Sequence, residues 1–397
     1  MKTLLTLDVG TSSARGTLFS IRGERLCSAS HPYAPEYYND GRVRQSPSSF
    51  TVAVLDVLTR CCALNAERGF SLIGIALTSQ RASVIPVDSE GRALCDAVMW
   101  QDKTSHKECA EIEALCGAKE VYAITGLRID PYFSAPRILW LRNNEPDLYA
   151  AAATFMGVQD YVAFVLTGRR VTDHTQGCRT LLMDVGGLSW SGRMLEVCSL
   201  EEARLPELLP PGSRAGEILP GVCAETGIPA GTPLFLAGGD QQVAAVGMGV
   251  LDSGSVEANT GTGSFMITPV PQPLFHPEEK TLCSVSAVPG QWVAEAGVLT
   301  TGILYSWFAR EFVQDEDFSA INALVTQSPP GANGVLALPH FKGSAAPFWN
   351  PWAKGLFFNI TLANTRADFA RAVLESIVLE MGANLDLLRS VLPGDVR

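Results

Sequence analysis

No two of the ten cysteines in this chain are spaced C-x-x-C; they are scattered, with Cys61 and Cys62 adjacent. That argues against a disulfide framework or a zinc ribbon and leaves reduced, core-type thiols. Histidine is scarce, and His31, His106, His174, His276 and His340 lie too far apart in sequence for metal-ligand spacing. Charged residues make up only 18%, with a formal balance of −11 and no Lys/Arg block, which argues against a nucleic-acid partner. The apolar start at 4–7 stops at Asp8, and no later run approaches the ~18 apolar residues of a membrane span. A cytoplasmic protein with no membrane partner is the expectation. Three catalytic motifs are also missing. Without G-x-x-x-x-G-K-[ST], G-x-G-x-x-G after a strand, or G-x-S-x-G, a P-loop kinase, a nicotinamide enzyme and an elbow-type serine hydrolase are all disfavoured.

The most informative stretch is the start, Leu4-Leu5-Thr6-Leu7-Asp8-Val9-Gly10-Thr11-Ser12-Ser13-Ala14-Arg15. A short apolar strand meets a carboxylate and a tight turn of glycine and hydroxyl residues, and 16–21 has strand composition again. The turn presents backbone N–H groups, hydroxyls and Arg15 beside Asp8. Such donors suit a phosphate, and Asp8 suits the Mg²⁺ that accompanies nucleotide phosphates. An ordinary hairpin whose Asp starts the turn explains the same residues. A second copy favours the phosphate site: Glu257-Ala258-Asn259-Thr260-Gly261-Thr262-Gly263-Ser264-Phe265 repeats the strand, the Gly-Thr-x-Ser turn and the following strand. Two such hairpins suggest two related domains facing one cleft.

Length agrees, since 397 residues predict two or three domains, each with a sizeable core, and 47% hydrophobic content is ordinary for a globular chain. Residues 2–32 read as a three-stranded meander, 46–68 as a helix with Ser46 as N-cap and Pro47 at its first position, and 73–78 as a buried strand. The Pro/Gly-rich stretch 206–231 reads as a surface connection. A strand at 233–237 then runs through Gly238 and Gly239 into Asp240 and a helix over 243–250. That places a carboxylate at the C-terminal edge of a sheet, where open α/β sheets bind ligands. A domain boundary is expected at 249–254, giving domains 1–250 and 251–397. Strands follow near 255–260, 263–269 and 291–296, then helices over 300–312 and Arg366–Val391.

Asp240 is the candidate catalytic base, because a hydroxyl attacking a γ-phosphate must be positioned and relieved of its proton. An N-cap role is the alternative, but two preceding glycines admit a ligand close to the backbone, which capping does not require. Gln80 and Arg81 follow a strand end, and Trp100, Gln101 and Asp102 follow 97–99. Polar groups beside one aromatic plane suit a polyhydroxylated ligand, and a surface loop with a half-buried Trp fits the pattern equally well.

Together these segments resemble the FGGY family of sugar and polyol kinases over nearly the whole chain. The stretch Tyr132-Phe133-Ser134-Ala135-Pro136-Arg137-Ile138-Leu139-Trp140 is similar to its first signature, with Arg137 where Lys is usual. The segment from Gly355 through Asn359 to Glu375 is similar to the second, with Asn359 where Gly is expected. The resemblance implies an α/β, two-domain actin-like ATPase (ribonuclease H-like) fold. Its N-terminal domain would carry the substrate and the base; its C-terminal domain would bind the nucleotide. It implies transfer of the ATP γ-phosphoryl to a sugar or polyol, with ATP and Mg²⁺ as cofactors. Asp8, with Asp240, would hold Mg²⁺, and Gly10, Thr11, Ser12, Ser13 and Arg15 would line one phosphate site. Gly261, Thr262 and Gly263 would form the second. Gln80, Arg81, Trp100, Asp102, Tyr132, Gln241 and Phe265 would join Asp240 around a small-molecule substrate. Glycerol kinases look similar around 79–81 and 98–102 but carry Glu where this chain has Ala82, so a ketose or another polyol is expected. The family continues for roughly a hundred more residues, so the second domain is expected to be incomplete, with the helix face 374–388 partly uncovered. A fragment, a natural truncation, a covering partner subunit or homo-oligomer, and a sugar-binding remnant lacking the adenosine subsite all remain open. An actin-like ATPase acting on proteins fits less well, because the Gln80, Arg81, Trp100 and Tyr132 cluster suits a small polar ligand.

Overall fold

Leu5, Leu7 and Val9 are fully buried and alternate with more exposed residues, as a strand with one face on a core requires. They belong to β1 (Lys2–Val9), which turns back as β2 (Ser13–Ser20) and continues as β3 (Arg25–Pro32), forming the expected meander. The computed structural model describes residues 1–314, 318–350 and 352–392. It divides into two compact units, Met1–Gly247 with Ser284–Gln291, and Met248–Cys283 with Trp292–Arg397.

In the first unit, α1 (Pro47–Glu67) opens on its proline, but Ser46 caps no amide; its hydroxyl meets Ser48 Oγ at 2.9 Å. By length and composition α1 is the one helix among the described residues that suffices to cross a membrane. Asp56 and Arg60 interrupt its apolar run, so the sequence expectation that no run reaches the length of a span stands beside it. Its Phe50, Ala53, Val54, Val57 and Leu58 are buried in one core with Leu5, Leu7 and Leu18. β4 (Ser71–Ser79) runs parallel to β1. Among the helices that follow are α2 (Ser134–Asn144), which carries Arg137, α3 (Val158–Thr167), which carries Gln159, and the one-turn α4 (His174–Gly177), which carries Thr175.

The expected surface connection 206–231 is more ordered than its composition suggests. It supplies an edge strand, β5 (Arg214–Glu217), and a helix, α5 (Pro220–Thr226), packed on α1. There proline and glycine bound short elements: Pro220 starts α5, and Gly227, at φ +74°, ends it. β6 (Pro233–Gly239) runs parallel to β4 and completes a sheet ordered β5-β6-β4-β1-β2-β3. α6 (Asp240–Gly247) begins at the carboxylate itself, three residues earlier than the expected helix.

The second unit holds β7 (Glu257–Thr260), β8 (Ser264–Val270), the first two residues of β9 (Leu282–Val285) and β10 (Trp292–Val298), in the order β7-β8-β10-β9. α7 (Gly302–Phe308) passes into a π-helical turn at Ala309–Val313, which splits the expected 300–312 helix. Its Leu304 and Phe308 pack with Ile321 of α8 (Phe318–Gln327) and with Ala370, Val373 and Ile377 of α9 (Arg366–Val391). Along 374–388, Val378 and Leu379 are exposed while Leu388 is buried. All ten cysteines are free.

Candidate functional site

Three neighbouring parallel strands bring the first unit's candidate residues to one sheet edge. Val9 is paired with Ser79, and Ser79 with Gly239, so β1, β4 and β6 end side by side. Adjacent strands lie about 4.8 Å apart, so the chain leaves that edge at Gly10, Gln80 and Asp240 within a span of about 10 Å. Position 8 pairs with Thr78, which pairs with Gly238, so Asp8 lies one residue short of the same edge.

The carboxylates of Asp8 and Asp240 are electrostatically coupled. Burial pushes the Asp8 carboxyl up to about 6; the charge of Asp240 adds to this, and Arg15, its cross-strand partner, opposes it. Asp240 is partly exposed, accepts the Gln241 amide at 2.8 Å, and lies 3.5 Å from Arg81 Nε, which is itself almost fully buried. Arg81 also donates to Gln242 Oε1 at 3.1 Å. Gln241 Oε1 is buried and makes no hydrogen bond, an acceptor left for a donor such as a hydroxyl.

The turn at 10–13 is closed by Gly10 N–H donating to Ser13 O at 3.0 Å. Behind it, the Gly10 carbonyl accepts from both Tyr33 Oη (2.8 Å) and Gln80 Nε2 (3.1 Å), while Ser83 Oγ holds the other end of the Gln80 amide. Gln80, expected to contact substrate, braces the turn with one N–H of its amide. Burial and then Asp8 push the Tyr33 hydroxyl above its usual range, which keeps it a neutral donor. Trp100 Nε1 donates to Thr11 Oγ1 at 3.0 Å, and its ring meets Tyr132 edge-on at 5.4 Å. The Arg179 guanidinium covers the Tyr132 and Phe133 rings at 5.5 and 5.1 Å and donates to Ser284 Oγ.

Asp102 lies elsewhere than expected. It is fully buried, and its oxygens accept from Val43 N, Thr104 N, Thr104 Oγ1 and the Arg44 guanidinium, leaving it no role as a substrate contact in this conformation. Sequence reasoning noted Arg137 only as a departure from a signature. It is fully buried, with Nη1 donating to Ala82 O (2.7 Å) and Nη2 to Trp100 O (2.6 Å), so it ties the two loops that carry Arg81 and Trp100. Burial lowers its pKa to about 10, against the raising effect of Asp102, Tyr132 and Asp130. Tyr33, Thr175 and Arg179 were missed altogether, and no local motif marks them.

In the second unit, Gly261, Thr262 and Gly263 form the β7–β8 turn, closed by Gly261 N–H to Gly263 O at 2.8 Å. Main-chain amides at 301–303, where α7 begins, bond the carbonyls of Gly261 and Thr262. A Cβ on Gly302 would meet Gly261 O at 2.2 Å, so this close approach requires glycine. Phe265 is half-buried on β8 opposite Gly297, against which its ring packs.

A family model described as the N-terminal domain of the FGGY family of carbohydrate kinases matches residues 3–247, and one for its C-terminal domain matches 256–391. The chain is 31% identical over 395 residues to a glycerol kinase of Thermus brockianus, covering 96% of this chain and 78% of that protein. It is 26% identical over 388 residues to a xylulose kinase of Lactococcus lactis, covering 98% and 77%. A ligand-bound xylulose kinase from Lactobacillus acidophilus superposes with a TM-score of 0.90 at 25% identity, covering 98% of this chain and 78% of its own. The fold is also that of a Plasmodium falciparum glycerol kinase solved with ADP, at a TM-score of 0.88 with coverage of 98% and 79%.

Proposed function

The chain belongs to the FGGY family of carbohydrate kinases, and we propose that the sheet edge where β1, β4 and β6 end is its phosphoryl-transfer site, with Asp240 as the base. It is a carbohydrate kinase that moves a phosphoryl group from ATP to a sugar or polyol hydroxyl. The observation that carries the site assignment is the coupled pair of Asp8 and Asp240 at the end of parallel strands, beside a rigid turn of N–H groups.

Asp240 takes the proton of the acceptor hydroxyl as that oxygen bonds to the γ-phosphorus, and the bridging P–O bond breaks to release ADP. Arg81 orients the Asp240 carboxylate from 3.5 Å, and Gln241 Oε1 accepts from another substrate hydroxyl. The turn at 10–13, with Thr11, Ser12, Ser13 and Arg15, cradles phosphate oxygens, and its bracing from behind means little reorganisation is needed on binding. Trp100 and Tyr132 give the sugar an apolar wall.

The donor set fits Mg²⁺, a hard cation that takes one or two carboxylates and keeps several waters. Asp8 would hold it, with Asp240 as the proposed second carboxylate, and a divalent cation would relieve the repulsion between the two. Bound there, it would neutralise charge on the nucleotide phosphates. In the second unit, the turn of Gly261, Thr262 and Gly263 would bind phosphate, and Phe265 is a proposed substrate contact.

Position 82 supports an acceptor other than glycerol. Ala82 brings no polar side chain, and its carbonyl is already taken by Ser134 Oγ and Arg137. A ketose or a longer polyol is the proposed class. The test is a coupled kinase assay on D-xylulose, gluconate and glycerol, with calorimetry of Asp240→Asn. Sugar binding retained while turnover falls about a hundredfold or more supports the base; near wild-type turnover rejects it.

A further inference from the structure

We propose that Thr175, backed by Asp173, is a positioning residue that clamps the main chain of β6 immediately before Asp240. This rests on the assignment of Asp240 as the base. The β6–β4 ladder slips register between Leu236 and Gly238, so regular pairing is disturbed just where the carboxylate must be presented. Two glycines in succession add backbone freedom there, and Gly238, at φ +124°, sits where an L side chain is strained. A strand end of this kind does not hold a base still by itself.

Past that slip the ladder resumes at Gly238 and Gly239, and side-chain hydroxyls reinforce it. Thr78 Oγ1 donates to Gly238 O at 2.7 Å, and Gly239 N–H donates to Thr175 Oγ1 at 2.7 Å. The carbonyl and the amide of the single peptide group that joins Gly238 to Gly239 are thus gripped from opposite sides. Thr175 is fully buried and its hydroxyl donates in turn to Asp173 Oδ1 at 2.5 Å. Asp173 is fully buried as well; Oδ1 also accepts Thr175 N–H at 2.8 Å, and Oδ2 accepts Gln159 Nε2 at 2.5 Å. The Gly239 N–H can only donate and so takes a lone pair of Thr175 Oγ1, which leaves the Thr175 proton to point to Asp173 Oδ1. The approach is close, since a Cβ on Gly238 would lie 3.1 Å from Thr175 Oγ1. The clamp touches no substrate; it acts through the peptide that carries Asp240.

Thr175→Val keeps the volume and removes the hydroxyl, whereas Thr175→Ser keeps the hydroxyl. With ATP and D-xylulose, gluconate or glycerol as acceptor, Thr175→Val is expected to lower kcat about tenfold or more with both KM values within about threefold. Amide exchange over 236–242 should quicken. Thr175→Ser should restore kcat and exchange. A kcat for Thr175→Val within about twofold of wild type, or equal losses in Val and Ser that follow thermal stability, overturns the clamp. Should Thr175→Val fail to fold, Asp173→Ala decides: it removes the acceptor that holds the Thr175 hydroxyl, so unchanged exchange at Gly239 rejects the proposal and faster exchange supports it. Asp240→Asn run alongside separates the two ideas. High turnover in that variant removes Asp240 as the base, while exchange at the Gly239 amide still rules on the clamp.

Discussion

Replacing Gly239 by alanine isolates the geometry on which the proposed base depends. A Cβ there would lie 2.5 Å from Arg81 Cδ, 3.0 Å from Arg81 Cγ and 2.9 Å from Gln242 Oε1. Carbon atoms in contact sit at about 3.5–4 Å, so the Arg81 side chain must retreat by about 1 Å. It has little room to do so, being 5% exposed and bonded to Gln242. Retreat either draws the guanidinium from Asp240 or tilts α6, which begins at that carboxylate. The glycine's φ lies outside the left-handed region, so the substitution adds no backbone strain to confuse the result. A misplacement of about 1 Å at a reacting group costs on the order of a hundredfold, so kcat/KM for the acceptor should fall about that much. The assay is steady-state phosphoryl transfer at saturating ATP, with thermal unfolding as a control. A Gly239→Ala enzyme within about threefold of wild type would refute the argument that Arg81 and Asp240 act from these positions.

Trp100→Phe keeps the ring against Tyr132 and loses the bond to Thr11 Oγ1, worth about 1 kcal/mol, so kcat/KM for ATP should fall about fivefold in the same assay without loss of stability. Arg137→Met strips the Trp100 carbonyl of its guanidinium and should lower urea-unfolding stability by about 2 kcal/mol while raising KM for the acceptor more than it changes kcat; equal loss in both would mark a merely structural role. Stability should also depend on Asp160, whose carboxyl burial pushes up to about 7, opposed by the Thr172 hydroxyl and the Gly157 amide and reinforced by Asp173. The folded state then holds a proton that the unfolded chain releases near 3.8, so this contribution is full below that pH and is lost as pH rises through about 7. Asp160→Asn should therefore gain on wild type by about 2 kcal/mol between pH 5 and 8 in denaturant titrations, and parallel curves would reject the assignment.

Local chemistry was legible without coordinates. The hairpin around Gly10, the strand ending in Gly238, Gly239 and Asp240, and the repeated turn at Gly261 to Gly263 each declare themselves within about ten residues, because turns and strand ends depend on adjacent residues. The α9 helix, Arg366–Val391, was legible for the same reason, its apolar spacing being periodic. Segment 206–231 was misread because proline and glycine mark both loops and the ends of short elements.

Sequence alone determined the family, the kinase chemistry and the residue types able to perform it, since these reside in contiguous motifs. Tertiary structure decided which of those side chains are available. Asp102 looks like a ligand contact in the chain, yet Val43 and Arg44, 59 and 58 residues away, occupy its carboxylate, and the Gly10 carbonyl, 70 residues away, takes one N–H of Gln80. Asp8 and Asp240 are 232 positions apart and acquire their coupling only because β1, β4 and β6 pair in parallel, a register no local pattern encodes. Hydrogen-bond capacity is finite, so what a polar side chain does depends on which distant partner reaches it first.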